Sequence, residues 1–541
     1  MKSNHLYILT TALLILISDI AVSNNYIVPQ IPINSNYKID VEIIPEKNVI
    51  KGEEIIHFTN SGNYPLETLA FDWEISETSK IEISLNDKLL TLLNRNTTSS
   101  PLLYYLDSPI KPGQKVQIKI KFSSMNLIKN SDKAELQNWY PRLWWDGIDT
   151  FDSCKIKLLY PEEYALAISA RLNKKTGYYE NKGVRSCGLC LYKNYIIEQK
   201  EVDGILITFI HTEKGTECAK LCLETAIDVV KFYKDWLGFY PFKFLTIIPG
   251  MSYPAGGYPF ASGIVVIHGQ EQFQEKPLPH WKWITAHEIG HQYWGEYVFD
   301  DYNSWLWIGL GIYADREYSI FSQIGLKKHI GFMNGYIKGI IKHYDTTADI
   351  TDSQIGKINF DYNNIIKHDK GFSIISALEC TIGKDQFCRI YKRCLKEFAG
   401  KYLHYRTFWR ICEEESGEKL SWFFEQWVRS NKYLSYKIIS QNSEKVADGY
   451  ESHVIVKNYG TLNMPIPLKA VFKDGSSEIK YSNRLLDIND ISFKSTSELK
   501  EIILDPENKL AMIKDSLFIS HEEIKESISK LSWRDEGTRA L

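Results

Sequence analysis

The sequence predicts a multidomain fold in which a mainly α-helical domain lies between two β-sandwiches. Three observations support this prediction: the length of 541 residues and two changes in the spacing of apolar residues along the chain. At about 100–200 residues per domain, the length is too great for a single hydrophobic core. Short alternating runs fill the first and last parts of the chain, and helical spacing fills the middle.

The composition is that of a globular protein with no strong charge bias. Hydrophobic residues make up 44% of the chain, charged residues 24%, and the formal net charge is −3 at pH 7. Lys and Arg are scattered, without a basic block or an interleaved aromatic pattern. Since nucleic-acid binding requires a concentrated basic surface, we expect no nucleic-acid partner.

The first segment, residues 1–23, has the features of a secretory signal peptide. One Lys precedes an apolar run from Leu6 to Ile17, and Ala21 and Ser23 suit cleavage before Asn24. The alternative is an uncleaved N-terminal membrane anchor, although the apolar run is shorter than the ~20 residues of a membrane span. The mature chain is therefore expected to be secreted or periplasmic, with no membrane span of its own.

The nine cysteines include two local pairs, Cys187 with Cys190 in "CGLC" and Cys218 with Cys222 in "CAKLC". A structural zinc site is one interpretation. In a secreted chain, disulfide bonds are the favoured interpretation, and the sequence does not determine which cysteines pair. Because nine is odd, at least one thiol stays free or pairs between chains.

Residues 24–215 are predicted to form the N-terminal β-sandwich. Apolar and polar residues alternate in short runs such as "YKIDVEII", "EEIIHFTN" and "KVQIKIKF", and turn residues such as "NSGNYP" separate them. This pattern is typical of half-buried strands in a sandwich.

Residues 216–430 show helical spacing, for instance in "AKLCLETAIDVVKFYKDWLGFYPF", with strand-like interruptions at "FLTIIPG" and "SGIVVIHG". Alternation returns in residues 431–519, which predicts a C-terminal β-sandwich. Residues 520–541 begin with a capping box, Ser520 with Glu523, and are predicted to form a short helical tail.

The stretch "HEIGH", His287 to His291, indicates a metal site in the helical domain. On an α-helix the two histidines project from one face and can reach one Zn²⁺. Glu288 lies between them, placed to act as general base toward a water at a catalytic zinc. The alternative is a chance match, with two satisfied core histidines in an unrelated extracellular protein.

The string "HEIGHQYWG" followed by "WLWIGLGIYADREY" resembles the gluzincin aminopeptidases, the family of alanyl aminopeptidase and leukotriene hydrolase. Other landmarks are similar in order, including "YKIDVEIIPEKNVIKGEEIIHFTNSG", "NWYPRLWWDG", "FYKDWLGFYPF", "HDKGFSIISALECTIGKDQF", "LSWFFEQWVRS" and "IILDPENKL". The resemblance covers nearly all of the mature chain. It implies a thermolysin-like catalytic domain at residues 216–430, zinc as cofactor and a peptide or protein substrate.

The chain departs from this family where the third zinc ligand is expected. The family carries a glutamate nineteen positions after the second histidine, and here that position is Leu310. An alkyl side chain cannot ligate zinc. Glu296, Asp315 and Glu317 are the acids that could substitute, but their helical positions point each of them away or too far along the axis, so we expect solvated surface charges.

Two further departures concern substrate binding. The family's glycine-rich strand holds a glutamate for the substrate amine, whereas "YPAGGYPFASGIVVI" keeps Gly256 and Gly257 but has no acid. His368 stands where the resemblance implies the tyrosine that stabilises the oxyanion, and Tyr362 is out of register. An imidazole can also donate a hydrogen bond to an oxyanion.

Two functions remain open from the sequence. The first is a zinc metallopeptidase that uses His287 and His291 as ligands, Glu288 as base, His368 as oxyanion helper and the Gly256-Gly257 strand as substrate edge. The second is a catalytically silent relative that binds peptides or a partner protein in the groove. Serine chemistry and nucleotide binding are not indicated, because the sequence has neither a Gly-x-Ser-x-Gly elbow nor a P-loop.

Overall fold

The computed structural model describes residues 35–73, 79–93, 101–125, 128, 130, 132–145, 150–250, 256–299 and 305–513. The predicted signal peptide, residues 1–23, and the predicted helical tail, residues 520–541, lie outside the described residues. The chain divides into two compact units, one of residues up to Tyr164 with Ala170–Lys193, the other of Ala165–Ser169 with the chain from Asn194 onward. The domain boundaries expected at 215/216 and 430/431 stay predictions.

The first unit is rich in β-structure, as the alternating pattern predicts. Strand β1 shows the period-two burial of a half-buried strand, with Tyr37, Ile39 and Val41 buried between exposed polar residues. The strands up to residue 193 are β1 (Ser35–Ile44), β2 (Val49–Thr59), β3 (Leu66–Asp72), β4 (Lys80–Leu85), β5 (Lys88–Leu89), β6 (Thr91–Leu92), β7 (Leu102–Ile110), β8 (Lys115–Met125), β9 (Lys133–Leu136), β10 (Arg142–Leu143), β11 (Asp152–Leu159), β12 (Tyr164–Ile168), β13 (Arg171–Asn173), β14 (Tyr178–Glu180) and β15 (Leu189–Lys193).

Two of the sheets in this unit face each other across a buried layer. Among the described residues, one has the strand order β13-β14-β11-β1-β2-β8-β4-β5 and the other β10-β3-β7-β6. The backbone N–H of Leu143 on β10 donates to the hydroxyl of Tyr37 on β1 at 3.1 Å. The rings of Trp73 and Phe122 meet edge to face, with centroids 5.8 Å apart.

The prediction of disulfides is wrong in this structure, where all nine cysteines are free thiols. Cys218 and Cys222 lie one turn apart on a single helix, and their sulfurs are 3.7 Å apart, far beyond the ~2.05 Å of a disulfide bond. Cys187 accepts a hydrogen bond from Asn181 Nδ2 at 3.7 Å. The spacing of cysteines in the sequence was therefore a poor guide to disulfide bonds, because it does not determine where each thiol points.

The second unit opens with a mixed sheet of β16 (Ile196–Val202), β17 (Ile205–His211), β18 (Phe244–Pro249), β19 (Gly257–Ala261) and β20 (Ile264–Ile267). The strand order is β16-β17-β18-β20-β19, with β17, β18 and β20 parallel to one another. Strand β19 pairs antiparallel with β20 and stands at the edge. The central strands are buried throughout, as expected of parallel strands covered on both faces.

Helix α1 (Thr216–Leu237) lies between β17 and β18, and the other helices follow this sheet, as the sequence predicts. These are α2 (Leu278–Gly290), α3 (Trp305–Phe321), α4 (Lys327–Ile341), α5 (Asp352–Ile355), α6 (Gly371–Ile382), α7 (Lys384–Glu397), α8 (Tyr405–Ser416) and α9 (Ser421–Trp427), and a π-helical segment, Asn363–Lys370, runs directly into α6. Among the described residues, none of the helices combines the length and hydrophobicity that crossing a membrane requires.

The chain returns to β-structure after α9, again as predicted. The strands are β21 (Tyr436–Val446), β22 (Gly449–Asn458), β23 (Pro467–Phe472), β24 (Ser477–Tyr481), β25 (Ile488–Ser495) and β26 (Leu499–Leu504). They form two sheets, β21-β22-β25 and β24-β23-β26. The described protein is therefore β-rich, then helical, then β-rich.

Candidate metal centre

Helix α2 presents the two histidines of HEIGH on one face. It starts after Pro277, whose backbone is extended. A second proline lies within the first turn, where backbone N–H groups have no partner inside the helix, so it costs no hydrogen bond. The helix ends at Gly290, and His291 keeps a right-handed helical conformation with φ −66° and ψ −12°. His287 and His291 therefore stand one turn apart, as predicted.

The two imidazoles converge on one point. Nε2 of His287 lies 3.3 Å from Nε2 of His291, and both side chains are buried. Two nitrogens bound to one tetrahedral zinc at about 2.0–2.1 Å would stand about 3.3–3.4 Å apart. The spacing of these two atoms therefore fits a shared zinc ion.

Glu288 is the buried carboxylate of this centre. Its side chain is 1% exposed, and within the described part of the chain its Oε2 makes no hydrogen bond. Burial raises the pKa of Glu288 to about 7, although His287 opposes the shift. A carboxylate with this pKa is suited to general acid and base work near neutral pH.

Strand β19 passes directly over Glu288. A Cβ atom on Gly257 would lie 2.7 Å from both Cγ and Oε1 of Glu288, so any side chain there would collide with it. The neighbouring Gly256 accepts a hydrogen bond on its carbonyl from the His268 N–H at 2.7 Å. The structure thus brings the two predicted glycines and the predicted base together at a sheet edge.

Asp315 orients His287. Its Oδ2 accepts a hydrogen bond from His287 Nδ1 at 2.7 Å, which leaves the lone pair of a neutral His287 on Nε2. Burial lowers the pKa of His287, but Asp315 and Glu288 outweigh burial and the pKa is raised. The expectation that Asp315 is a solvated charge is wrong, because this side chain is fully buried.

His291 has no comparable anchor. Its Nδ1 makes no hydrogen bond within the described residues. Its ring packs edge to face against Trp307, with centroids 4.8 Å apart, and a Cβ on Gly311 would lie 3.1 Å from its Cε1. Burial lowers the pKa of His291 well below the ordinary value, and nearby His287 and His368 lower it further.

No carboxylate stands at the position of the family's third ligand. Leu310 is fully buried, and its backbone carbonyl accepts a hydrogen bond from the Tyr391 hydroxyl at 3.0 Å. Over the described ranges, no three His, Cys, Asp or Glu side chains form a group that could hold a metal ion. Within those ranges the centre offers two imidazole nitrogens as metal donors, and their 3.3 Å spacing fits zinc.

Glu296 and Glu317, the other two acids considered as substitutes, are also buried rather than solvated. Glu296 accepts a hydrogen bond from the Ser262 hydroxyl at 2.7 Å. Glu317 forms an ion pair with Lys384 at 2.7 Å. For Glu317 the prediction of a surface charge failed because α3 is covered along nearly its whole length, so that its charged residues lose water and need partners.

His368 lies in the π-helical segment. Its Nδ1 lies 2.8 Å from the Asn363 carbonyl and must donate to it, which leaves a lone pair on Nε2 of the neutral ring. Burial lowers the pKa of His368 to about 4, and His287 contributes to the shift. Lys370 anchors the end of the segment through Asp345 Oδ1 at 3.0 Å and the carbonyls of Thr346 and Ser430.

Residues 222–427 match the family model described as Peptidase family M1 domain. The chain is similar to Aminopeptidase M1-B of Oryza sativa subsp. japonica, with 23% identity over 48% of this chain and 31% of the rice protein. It is similar to Tricorn protease-interacting factor F2 of Thermoplasma volcanium, with 24% identity over 35% of this chain and 25% of that protein. For Aminopeptidase N of Lactococcus lactis subsp. lactis the identity is 23%, over 42% and 28% of the two chains.

The chain spans less than a third of the length of these relatives. The matched region runs from α1 to the end of α9 and contains the whole HEIGH centre together with the Leu310 departure. These matches confirm the resemblance stated from the sequence. Residues 222–427 are therefore similar to the M1 peptidase domain, with a departure at Leu310.

Proposed function

We propose that the protein is a zinc-dependent metallopeptidase of aminopeptidase type, secreted or periplasmic, with a thermolysin-like catalytic domain between two β-sandwiches. The observation that carries the proposal is the 3.3 Å separation of His287 Nε2 and His291 Nε2, which fits two ligands of one zinc ion. The match of residues 222–427 to the M1 domain supports the same assignment.

Zinc, when bound, polarises a carbonyl and lowers the pKa of a coordinated water. Glu288 accepts the proton of the attacking water and returns it to the leaving amine. Its Oε2 has no competing partner within the described residues, so it is available for this transfer. The raised pKa of the buried carboxyl favours both halves of the exchange near neutral pH.

The substrate is proposed to be an extended peptide that adds to the edge of β19. An edge strand offers unpaired backbone groups to a peptide, and the absence of a side chain at Gly257 brings that edge close to Glu288. No acidic residue follows in Gly256–Ile267 to bind a free α-amine. We therefore expect little discrimination between free and blocked peptide N-termini.

His368 is proposed to assist at the oxyanion. Because its Nδ1 already donates to Asn363, its Nε2 donates only in the charged form. A developing negative charge next to the ring favours that form. His368→Gln, which keeps a neutral donor, should therefore retain more activity than His368→Ala.

A second candidate function is a catalytically silent relative that binds peptides or a partner protein. Two observations favour it: Leu310 is buried at the expected ligand position, and the described ranges contain no group of three metal-binding side chains. Two imidazoles hold zinc less tightly than a set that includes a carboxylate, because the anionic ligand is absent.

Hydrolysis by the zinc-loaded protein separates the two candidates. Matched peptides with free and acetylated N-termini are compared on the parent and on Glu288→Gln, with the exposed Glu275→Gln as control. A peptidase should lose about 10²–10⁴-fold in kcat in Glu288→Gln and nothing in the control. Equal rates for parent and Glu288→Gln would refute catalysis at this centre and leave the binding function.

A further inference from the structure

We propose that His329 of α4 is a positioning residue for the metal centre. It acts on His287 through Asp315, and its catalytic consequence rests on the proposed function. The residue lies outside HEIGH and carries no motif in the sequence.

Asp315 is the shared acceptor of three donors. Its Oδ2 accepts from His287 Nδ1 at 2.7 Å, and its Oδ1 accepts from His329 Nε2 at 2.5 Å and from Trp283 Nε1 at 3.0 Å. Asp315 is 0% exposed and His329 is 1% exposed. Both oxygens of the carboxylate are thus held in fixed directions away from water.

The three donors do not constrain Asp315 in the same way. Trp283 lies one turn before His287 on α2, and its ring stacks on the His287 ring with centroids 5.3 Å apart. It therefore moves with the ligand that it would have to position. His329 comes from α4, so that it ties the carboxylate of α3 to an element independent of α2.

His329 itself is fixed by packing. Its ring contacts Phe372 and Phe332, with centroid distances of 5.7 and 6.5 Å. Its Nδ1 has no hydrogen bond within the described residues, so the tautomer with the proton on Nε2 avoids a buried unsatisfied N–H. That tautomer is the one that donates to Asp315.

The consequence for His287 is a fixed ring and a fixed tautomer. With Nδ1–H bound to a carboxylate that cannot rotate, the lone pair of His287 points from Nε2 toward His291. Partners of this kind also raise the basicity of a metal ligand. A centre with Leu310 in place of an anionic ligand depends on this contribution more than a centre with three ligands does.

The test compares His329→Ala and His329→Gln with Met333→Ala in the full protein. Gln retains a donor at the place of Nε2. Met333 is a buried residue one turn further along α4, and its side chain has no hydrogen-bond donor for Asp315. The readouts are the ¹⁵N shifts of the His287 imidazole in metal-free protein and the zinc affinity measured against a competing chelator.

We expect His329→Ala to mix the two tautomers of His287 and to weaken zinc binding by about 10–100-fold, as for other partners of metal ligands. His329→Gln should restore the Nδ1–H tautomer and most of the affinity, and Met333→Ala should alter neither. An unchanged His287 tautomer in His329→Ala, or an equal loss of affinity in Met333→Ala, would overturn the proposal.

Failure of the proposed function gives a different result. If the parent neither binds zinc nor cleaves peptides, the proposed function fails, while the ¹⁵N shifts of the metal-free variants still decide whether His329 orients His287. If the parent hydrolyses peptides but the His287 tautomer does not respond to His329, only the positioning role fails.

Discussion

Helices α2 and α3 lie on either side of the same centre, but they use their polar residues differently. On α2, Glu288 Oε2 has no hydrogen bond within the described residues, and the same is true of Nδ1 in His291 just beyond its end. On α3, Asp315 and Arg316 each have a buried partner, and one oxygen of Glu317 pairs with the half-exposed Lys384. Unsatisfied buried polar atoms are costly. The Oε2 of Glu288 beside the two histidines, unpaired within the described part of the chain, therefore indicates a function, whereas the ion pairs of α3 indicate a role in stability.

The two helices therefore differ in role: α2 and the residue just after it carry the candidate zinc ligands, and α3 orients His287. Helix α3 has lost the ligand position to Leu310, yet it still orients the centre through Asp315. Its other acid, Glu317, pairs with Lys384 of α7 rather than with a metal. The variants below test whether α3 stabilises the fold and α2 carries the chemistry.

The largest effect is expected from Glu379→Gln. Glu379 on α6 accepts from Arg316 Nη1 at 2.6 Å and pairs with Lys509 at 3.0 Å, and the Arg316 and Glu379 side chains are nearly fully buried. Removing one partner of a buried pair costs about 3–5 kcal/mol of unfolding free energy, because a charge is left uncompensated. Urea denaturation measures the loss, and zinc affinity should stay at the parent value. A large drop in zinc affinity would break the distinction between the two helices.

Leu310→Glu should restore a carboxylate near the two histidines. Zinc affinity should rise at least about tenfold, equivalent to about 1.4 kcal/mol, in a chelator competition. The control is Leu310→Gln, which has a similar shape but no negative charge. If Glu binds zinc no better than the parent, the side chain at position 310 does not face the metal.

The Arg316–Glu379 pair should also make stability depend on pH. Burial would raise the pKa of Glu379, but Arg316 and Lys509 outweigh it, so the pKa lies below the ordinary 4.5. The pair therefore stabilises the fold above that pH and loses its contribution as pH falls through the folded-state pKa. The stability gap between parent and Glu379→Gln should be constant above about pH 5 and narrow below it, by at most about 1.4 kcal/mol per pH unit. A gap that widens on acidification would show that the sign is wrong.

The smallest effect is expected from Glu317→Gln. Glu317 pairs with Lys384, whose side chain is 51% exposed, and such pairs contribute about 0–1 kcal/mol. Thermal denaturation and zinc titration should both remain close to the parent values. A marked loss of zinc in this variant would mean that Glu317, not Asp315, supports the centre.

The order of β-rich and helical parts was predictable because apolar residues recur every two positions in strands and about every 3.6 in helices, and each segment shows one of these spacings. The spacing of His287 and His291 was predictable for the same reason, since four residues make about one helical turn. Both depend on neighbours along the chain, and both are confirmed.

Contacts between distant segments were not predictable. Asp315 and His329 form a hydrogen bond near the candidate metal centre, but no motif or periodicity in the sequence indicates that contact. The acids of α3 are buried because helices from later in the chain cover α3. The disulfide prediction failed similarly, because the spacing of Cys187 and Cys190 says nothing about where each sulfur points. One available signal was missed: an acid within an almost wholly apolar helix has to be buried and paired.

The most direct test of the account is the zinc content of the purified protein, measured by elemental analysis beside His291→Ala. The convergence of the two Nε2 atoms predicts near one zinc per chain in the parent and near zero in the variant. Near zero in both would contradict the account, because the centre would then retain its geometry without its metal.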